Sequence, residues 1–215
     1  ENRSEDKPAP QEDSSALPAR KIVAQGHPVI LRSPSRDLEV RGQRFEYDLK
    51  ARRFKLDGGD KVMLRHGDKD LECVRFVYQS AQPGRLGKLW AAGPGRFRGV
   101  VSDSEPKQLE AAWQHEMRIE PQGNEHVIQL EQRARLSITG TGTVSAERIY
   151  CWLSEVPPKP DNDGSSERGF DLRPNRMRAE SGASDGEVQI DSPRLTGQTN
   201  RLDLWFVHSP HRAPP

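Results

Sequence analysis

The sequence predicts an all-β domain, and three observations carry that expectation. Apolar and polar residues alternate with period two through most of the chain, Gly, Asp and Asn turn signals interrupt that alternation at short intervals, and helical spacing is scarce. At 215 residues the chain has the size of a β-sandwich or barrel built as one domain, so no second domain is required. Apolar residues make up 33% and charged residues 30%, with a mean hydropathy of −0.87. The core must therefore be thin and elongated, with much of each strand facing water.

Residues 1–20 open with ENRSEDKPAP and stay polar and proline-rich, which predicts a disordered linker left after removal of upstream residues. The segment Lys21 to Asp48 then reads as a strand, a turn at Gly26, a second strand ending Val29-Ile30-Leu31, a polar break, and two further alternating stretches. Arg52 to Gln79 follows the same plan. Phe54 and Leu56 precede Gly58-Gly59, Val62 and Leu64 follow, and Leu71, Cys73, Phe76 and Tyr78 close the unit. Setting Phe45-Glu46-Tyr47 on Phe76-Val77-Tyr78 gives repeats of about 30 residues. A third, looser unit runs through Leu89, Phe97, Val100, Leu109 and Trp113. A fourth ends at Tyr150 and Trp152, and a fifth at Trp205 and Phe206, so both end on aromatics like the first two.

The remaining segments follow from composition. Pro106 to Met117 has spacing that suits a helix, with Leu109, Trp113 and Met117 on one face, but also suits a strand, which its neighbours favour. Residues 157–169, PPKPDNDGSSERG, predict a mobile insertion loop because proline and glycine cannot hold a place in a ladder. Residues 209–215 predict a disordered tail. One domain over residues 21–208 accounts for the rest.

Charge and motifs exclude several functions. Lys plus Arg number 33 against 32 Asp plus Glu, so there is no field to gather nucleic acid. No run approaches the roughly 20 apolar residues of a membrane-spanning helix. Cys73 and Cys151 match no zinc or CxxC spacing; they read either as one disulfide or as two small buried hydrophobes. The histidines are scattered, and only His208 and His211 lie close, in the tail. No GxSxG elbow or HExxH motif is present, Ser137 to Gly142 lacks the lysine of a phosphate loop, and Asp68 with Asp70 suits a polar turn. These observations predict a protein that is not an enzyme and needs no metal or cofactor.

The stretch IVAQGHPVILRSPSRDLEVRGQRFEYDLKARRFKLDGGDKVML carries Gly26, Val29, Gly42, Tyr47-Asp48, Leu56, Gly58 and Val62 in the order glycine, valine strand, polar break, Tyr-Asp, next strand. In this it resembles the OstA-like family of periplasmic lipopolysaccharide-transport proteins. Gly186 to Phe206 is similar to the same pattern at Val188, Ile190, Leu195, Gly197, Leu202 and Phe206. The resemblance covers residues 20 to 80 and 126 to 207 well and Gly84 to Pro121 weakly. It implies an open β-jellyroll bent into a V-shaped trough, a periplasmic location with an anchor upstream of residue 1 as one possibility, and binding of lipopolysaccharide acyl chains along an apolar interior. It also implies edge-to-edge stacking on copies or on relatives of the same fold. The insertion after Val156 and the run Gly93-Pro94-Gly95 depart from the pattern.

On that reading the interior is lined by Val29, Leu31, Phe45, Tyr47, Leu56, Val62, Leu64, Phe76, Leu136, Trp152, Val188, Ile190, Leu204 and Phe206. Burial of each acyl methylene there is worth about 0.8 kcal/mol. Arg41, Arg44, Arg52, Arg53, Arg133 and Arg135 either clamp anionic groups at the rim or are solvated outward residues of amphipathic strands. Two functions follow: a glycolipid-binding module that holds or passes lipopolysaccharide-like molecules between membranes, or a scaffold that fills its own interior and joins partners through open strand edges.

Overall fold

Residues 19–81, 86–101, 107–156, 171–182 and 187–207 are described by the structure, a computed structural model. The linker to residue 18, the insertion at 157–169 and the tail from residue 209 lie outside the described residues. The strands are β1 (Lys21–Ser33), β2 (Leu38–Asp48), β3 (Arg53–His66), β4 (Lys69–Gln79), β5 (Lys88–Ala92), β6 (Gly95–Val101), β7 (Lys107–Trp113), β8 (Glu116–Gln122), β9 (Glu125–Ile138), β10 (Gly142–Val156), β11 (Asp171–Glu180), β12 (Val188–Asp191), β13 (Thr196–Thr199) and β14 (Arg201–Trp205). They form one 14-stranded sheet whose pairs are all antiparallel. The stretch expected as strand or helix between Pro106 and Met117 is strand, broken at Gln114-His115.

The glycines expected to reverse the chain at Gly26 and Gly58 do something else. β1 and β3 run straight through them, and the pairing register shifts between Gln25 and Val29, between Arg41 and Arg44, and between Asp57 and Val62. A bulge inserts residues without reversing the strand and sharpens its bend. Gly58 is required there, because a Cβ would lie 2.1 Å from the Lys61 carbonyl carbon. The bulges divide the long strands into two halves, and each half pairs in its own block. The first block holds residues such as Ala24, Phe45, Leu56 and Phe76; the second holds Leu31, Val40, Leu64 and Leu71.

In the middle of the sheet the bend becomes a break. β5 and β6 are separated by Gly93-Pro94, yet both pair with β4; β7 and β8 are separated by Gln114-His115, yet both pair with β9. Because β5 also pairs with β8 and β6 with β7, strands β4-β5-β8-β9-β7-β6 close a six-strand ring. Gly93 makes the turn at φ +79°, and its N–H donates to the His115 carbonyl at 2.7 Å, which ties the two breaks together. Trp113, 1% exposed, packs over Gly95. A Cβ on Gly95 would approach the Trp113 ring to 2.3 Å and the Glu72 carbonyl to 2.7 Å. Gly95→Ala should therefore lower stability by about 1–3 kcal/mol, read as a lower urea midpoint at unchanged slope.

Register aligns the inward residues into continuous rows across the sheet, two of them from edge strand to edge strand. The first row is Ala24, Phe45, Leu56, Phe76, Ala91, Met117, Leu130, Ile149, Ala179 and Leu202. The second, two residues along each strand, is Ile22, Tyr47, Phe54, Tyr78, Leu89, Ile119, Ile128, Cys151, Met177 and Leu204. A third crosses the other block through Leu31, Val40, Leu64, Leu71, Phe97, Ala111, Leu136, Val144 and Ile190. Buried members of all three, Ile119 excepted, belong to one core cluster, so the two blocks share a single core. Phe45 and Phe76 share the first row and Tyr47 and Tyr78 the second. Tyr150 and Trp152 do not join these rows: Ile149 and Cys151 stand there instead. A slip of one residue moves a side chain to the opposite face, and Tyr150 and Trp152 stand one residue from the inward positions.

Candidate functional site

The apolar rows end at strand edges, and those ends form the candidate site. Among the described residues β1 pairs with β2 alone, β14 with β11 alone and β13 with β12 alone. In the middle of the first row Leu56, Phe76, Ala91, Met117, Leu130, Ile149 and Ala179 are all buried, because strands flank them on both sides and the second block covers them. Toward the ends Phe45 and Leu202 are half-buried, and Ile22 on β1 is 47% exposed. Apolar surface there is in contact with water.

The residues expected to line the interior separate into three groups. Leu56, Val62, Phe76 and Val188 are buried in the core. Leu31, Phe45, Leu64, Leu136, Ile190, Leu204 and Phe206 are half-buried and packed against it, Val29 is half-buried opposite Gly42, and Tyr47 is half-buried opposite Phe54. Trp152 lies on the outer face. Its ring is stacked under Arg176, with Cζ 3.9 Å from the centroid, and its indole N–H donates to Gln122 Oε1 at 3.2 Å.

None of the six arginines considered as rim clamps joins the apolar rows. Val40, Phe45, Phe54, Ala134 and Leu136 take the inward positions, so alternation turns Arg41, Arg44, Arg53 and Arg135 outward. Arg41 pairs with Glu39 at 2.6 Å, Arg44 approaches Glu46 at 3.8 Å, Arg52 donates to Ser80 Oγ at 3.4 Å from a turn, and the Arg133 N–H donates to Glu147 at 3.5 Å. Across the outer face of the second block Arg32, Glu39, Arg65, Asp70, Arg98 and Glu110 alternate in sign along one cross-strand row. An outer depression of about 260 Å³ lies among Glu39, Arg41, Arg65, Asp70, Glu72, Arg96 and Arg98. Hydrogen bonds from Arg32 and Arg41 hold Glu39 below the usual carboxylate range, and a hydrogen bond from Arg96 does the same for Glu72.

Two polar clusters were not legible in the sequence. His115, Glu116 and Glu131 bring ligand-type atoms within 4.8 Å of one another, but the buried Glu116 carboxylate already accepts from Trp90 Nε1 at 2.6 Å and pairs with Arg118 at 2.5 Å. It is a satisfied ion-pair group. At the other cluster the Leu86 N–H donates to Glu155 at 3.0 Å, the buried His126 places Nε2 at 3.1 Å from the Leu86 carbonyl, and the Gly87 N–H donates to the Tyr78 hydroxyl at 3.3 Å. The chain entering β5 is thereby tied to β9 and β10. Only register brings residues this far apart in sequence together.

Cys73 and Cys151 are both free thiols, and burial pushes each up to about 12. Iodoacetamide at about pH 8 should leave both unlabelled in the folded protein and label both in denaturant, as intact mass would report. Comparison with protein-family models and with curated proteins finds no match for this chain.

Proposed function

We propose that this protein is a periplasmic, non-catalytic module that binds glycolipid, holding or passing lipopolysaccharide-like molecules along its apolar interior. The observation that carries this reading is the set of three apolar rows, two of which run from β1 to β14 while the third runs from β1 to Ile190 on β12, with half-exposed residues at their ends. The bulges that bend the long strands and the core shared by the two blocks support an open jellyroll trough. The shared rows of Phe45 with Phe76 and of Tyr47 with Tyr78 support a repeat built on every second strand. An acyl chain of a dozen methylenes laid on such rows would gain on the order of 10 kcal/mol before ordering costs. The ends of the rows admit it first, since the middle residues are covered by one another.

Native mass spectrometry of the purified protein with and without lipopolysaccharide, paired with displacement of a fluorescent acyl probe, tests this. Saturable binding competed by lipid A is the expected result. A folded protein that shows neither adduct nor displacement overturns it. The second reading, a scaffold that fills its own interior and joins partners through its edges, is favoured by the burial of the first row from Leu56 to Ala179. It predicts self-association through β1 or β14 with no lipid present.

A further inference from the structure

The outer face of β10, β11 and β14 carries a feature unlike the rest of that surface. Register places Val127, Trp152, Arg176 and Trp205 in one outward cross-strand row. The Arg176 guanidinium lies over the Trp152 ring, with Cζ 3.9 Å from its centroid, and Tyr150 sits beside that ring at 6.1 Å with an interplanar angle of 33°. Gln122 fixes the indole from the far side. On the next outward position of β11, Arg178 is neutralised by Asp203 at 2.8 Å, with Glu180 also near. Arg176 has no carboxylate partner among the described residues. Opposite it stands Trp205, 69% exposed.

A guanidinium stacked on an aromatic ring keeps its N–H edge free and gives up little entropy when that edge binds a planar or tetrahedral anion. Trp205 adds an open ring face within the same row. Exposed tryptophan faces pack against the C–H face of a sugar ring, because the negative ring quadrupole attracts those polarised hydrogens. We propose that Arg176 and Trp205, braced by Trp152, form a subsite for a sugar bearing a phosphate or carboxylate, with the anion on Arg176 and the ring on Trp205. The site lies on the face opposite the apolar rows and does not depend on what those rows hold. Its ligand is either a free acidic sugar or the head group of a glycolipid.

The test follows the four indole N–H signals by NMR while glucose 1-phosphate, glucose or inorganic phosphate is added. Saturable shifts of the Trp152 and Trp205 signals by glucose 1-phosphate are expected, with glucose alone much weaker. Arg176→Gln should weaken binding about tenfold. Trp205→Ala, at an exposed position that leaves the fold intact, should weaken glucose 1-phosphate about threefold and leave inorganic phosphate unchanged. Phosphatidylglycerol vesicles with and without a phosphorylated glycolipid separate the two sources: a preference for the glycolipid vesicles that glucose 1-phosphate competes away assigns the head group, and binding of the soluble sugar without vesicle preference assigns the free sugar. No saturable shift with glucose 1-phosphate, or equal binding by both variants and the parent, overturns the proposal. So does equal binding to both vesicles without any response to the sugar.

Discussion

Phe76→Ala should cost about 3–5 kcal/mol of stability. Phe76 is 3% exposed and sits in the first apolar row between Leu56 on β3 and Ala91 on β5. Phe54 meets it edge-on, with centroids 5.9 Å apart at 73°, and Phe45 meets Phe54 at 5.0 Å. Truncation removes the transfer energy of the ring, leaves a cavity between β3 and β5, and takes from Phe54 one of its two aromatic neighbours. Small neighbours such as Ala91 cannot fill the space. Urea unfolding followed by tryptophan fluorescence would report the loss as a lower midpoint at constant slope. A loss below about 1 kcal/mol would mean that the two blocks relax toward each other and close the gap.

Phe45→Asp and Leu204→Asp should each weaken displacement of a fluorescent acyl probe by tenfold or more while the protein stays folded. Both residues are half-buried members of the apolar rows near opposite edges, on β2 and β14, where water already reaches them. A carboxylate there remains partly solvated, so folding survives. An acyl methylene brought against it loses its apolar contact and forces the charge to desolvate. Circular dichroism establishes the fold of each variant, and probe displacement establishes the site. Weakening at one edge alone would assign the entry point for lipid. Unchanged binding in both folded variants would remove the rows from the binding surface.

Much of this architecture was legible before any coordinates. Alternation in Lys21 to Asp48 and Arg52 to Gln79 predicted strands and which residues in them face inward, and the inward assignments of Phe45, Leu56, Val62 and Phe76 stand in the core or against it. Phe45 on β2 and Phe76 on β4 both stand opposite Leu56 on β3, so the two residues lie in one row. The failures have a common cause. The resemblance places Trp152 inward, yet its neighbours Ile149 and Leu153 hold the inward positions, and a ring with a polar N–H is satisfied outside by Gln122 and Arg176. Side-chain type alone does not report the face when the register is uncertain by one residue.

Gly26 and Gly58 show the other kind of ambiguity. A glycine between two alternating stretches is compatible with a reversal or with a bulge in a continuing strand, and the choice depends on which strand lies alongside. The sequence by itself determined that the chain is built of strands and that Phe45, Leu56, Val62 and Phe76 turn inward, because period-two alternation is a local property of the chain. The tertiary structure alone decided that the long strands bend at bulges, that β4 and β9 close a ring around the break at Gly93 and His115, and that Arg176 meets Trp152 and Trp205. Those outcomes rest on pairing between residues distant in sequence, and the energy that selects one register over its neighbours is released only when whole apolar rows come into line.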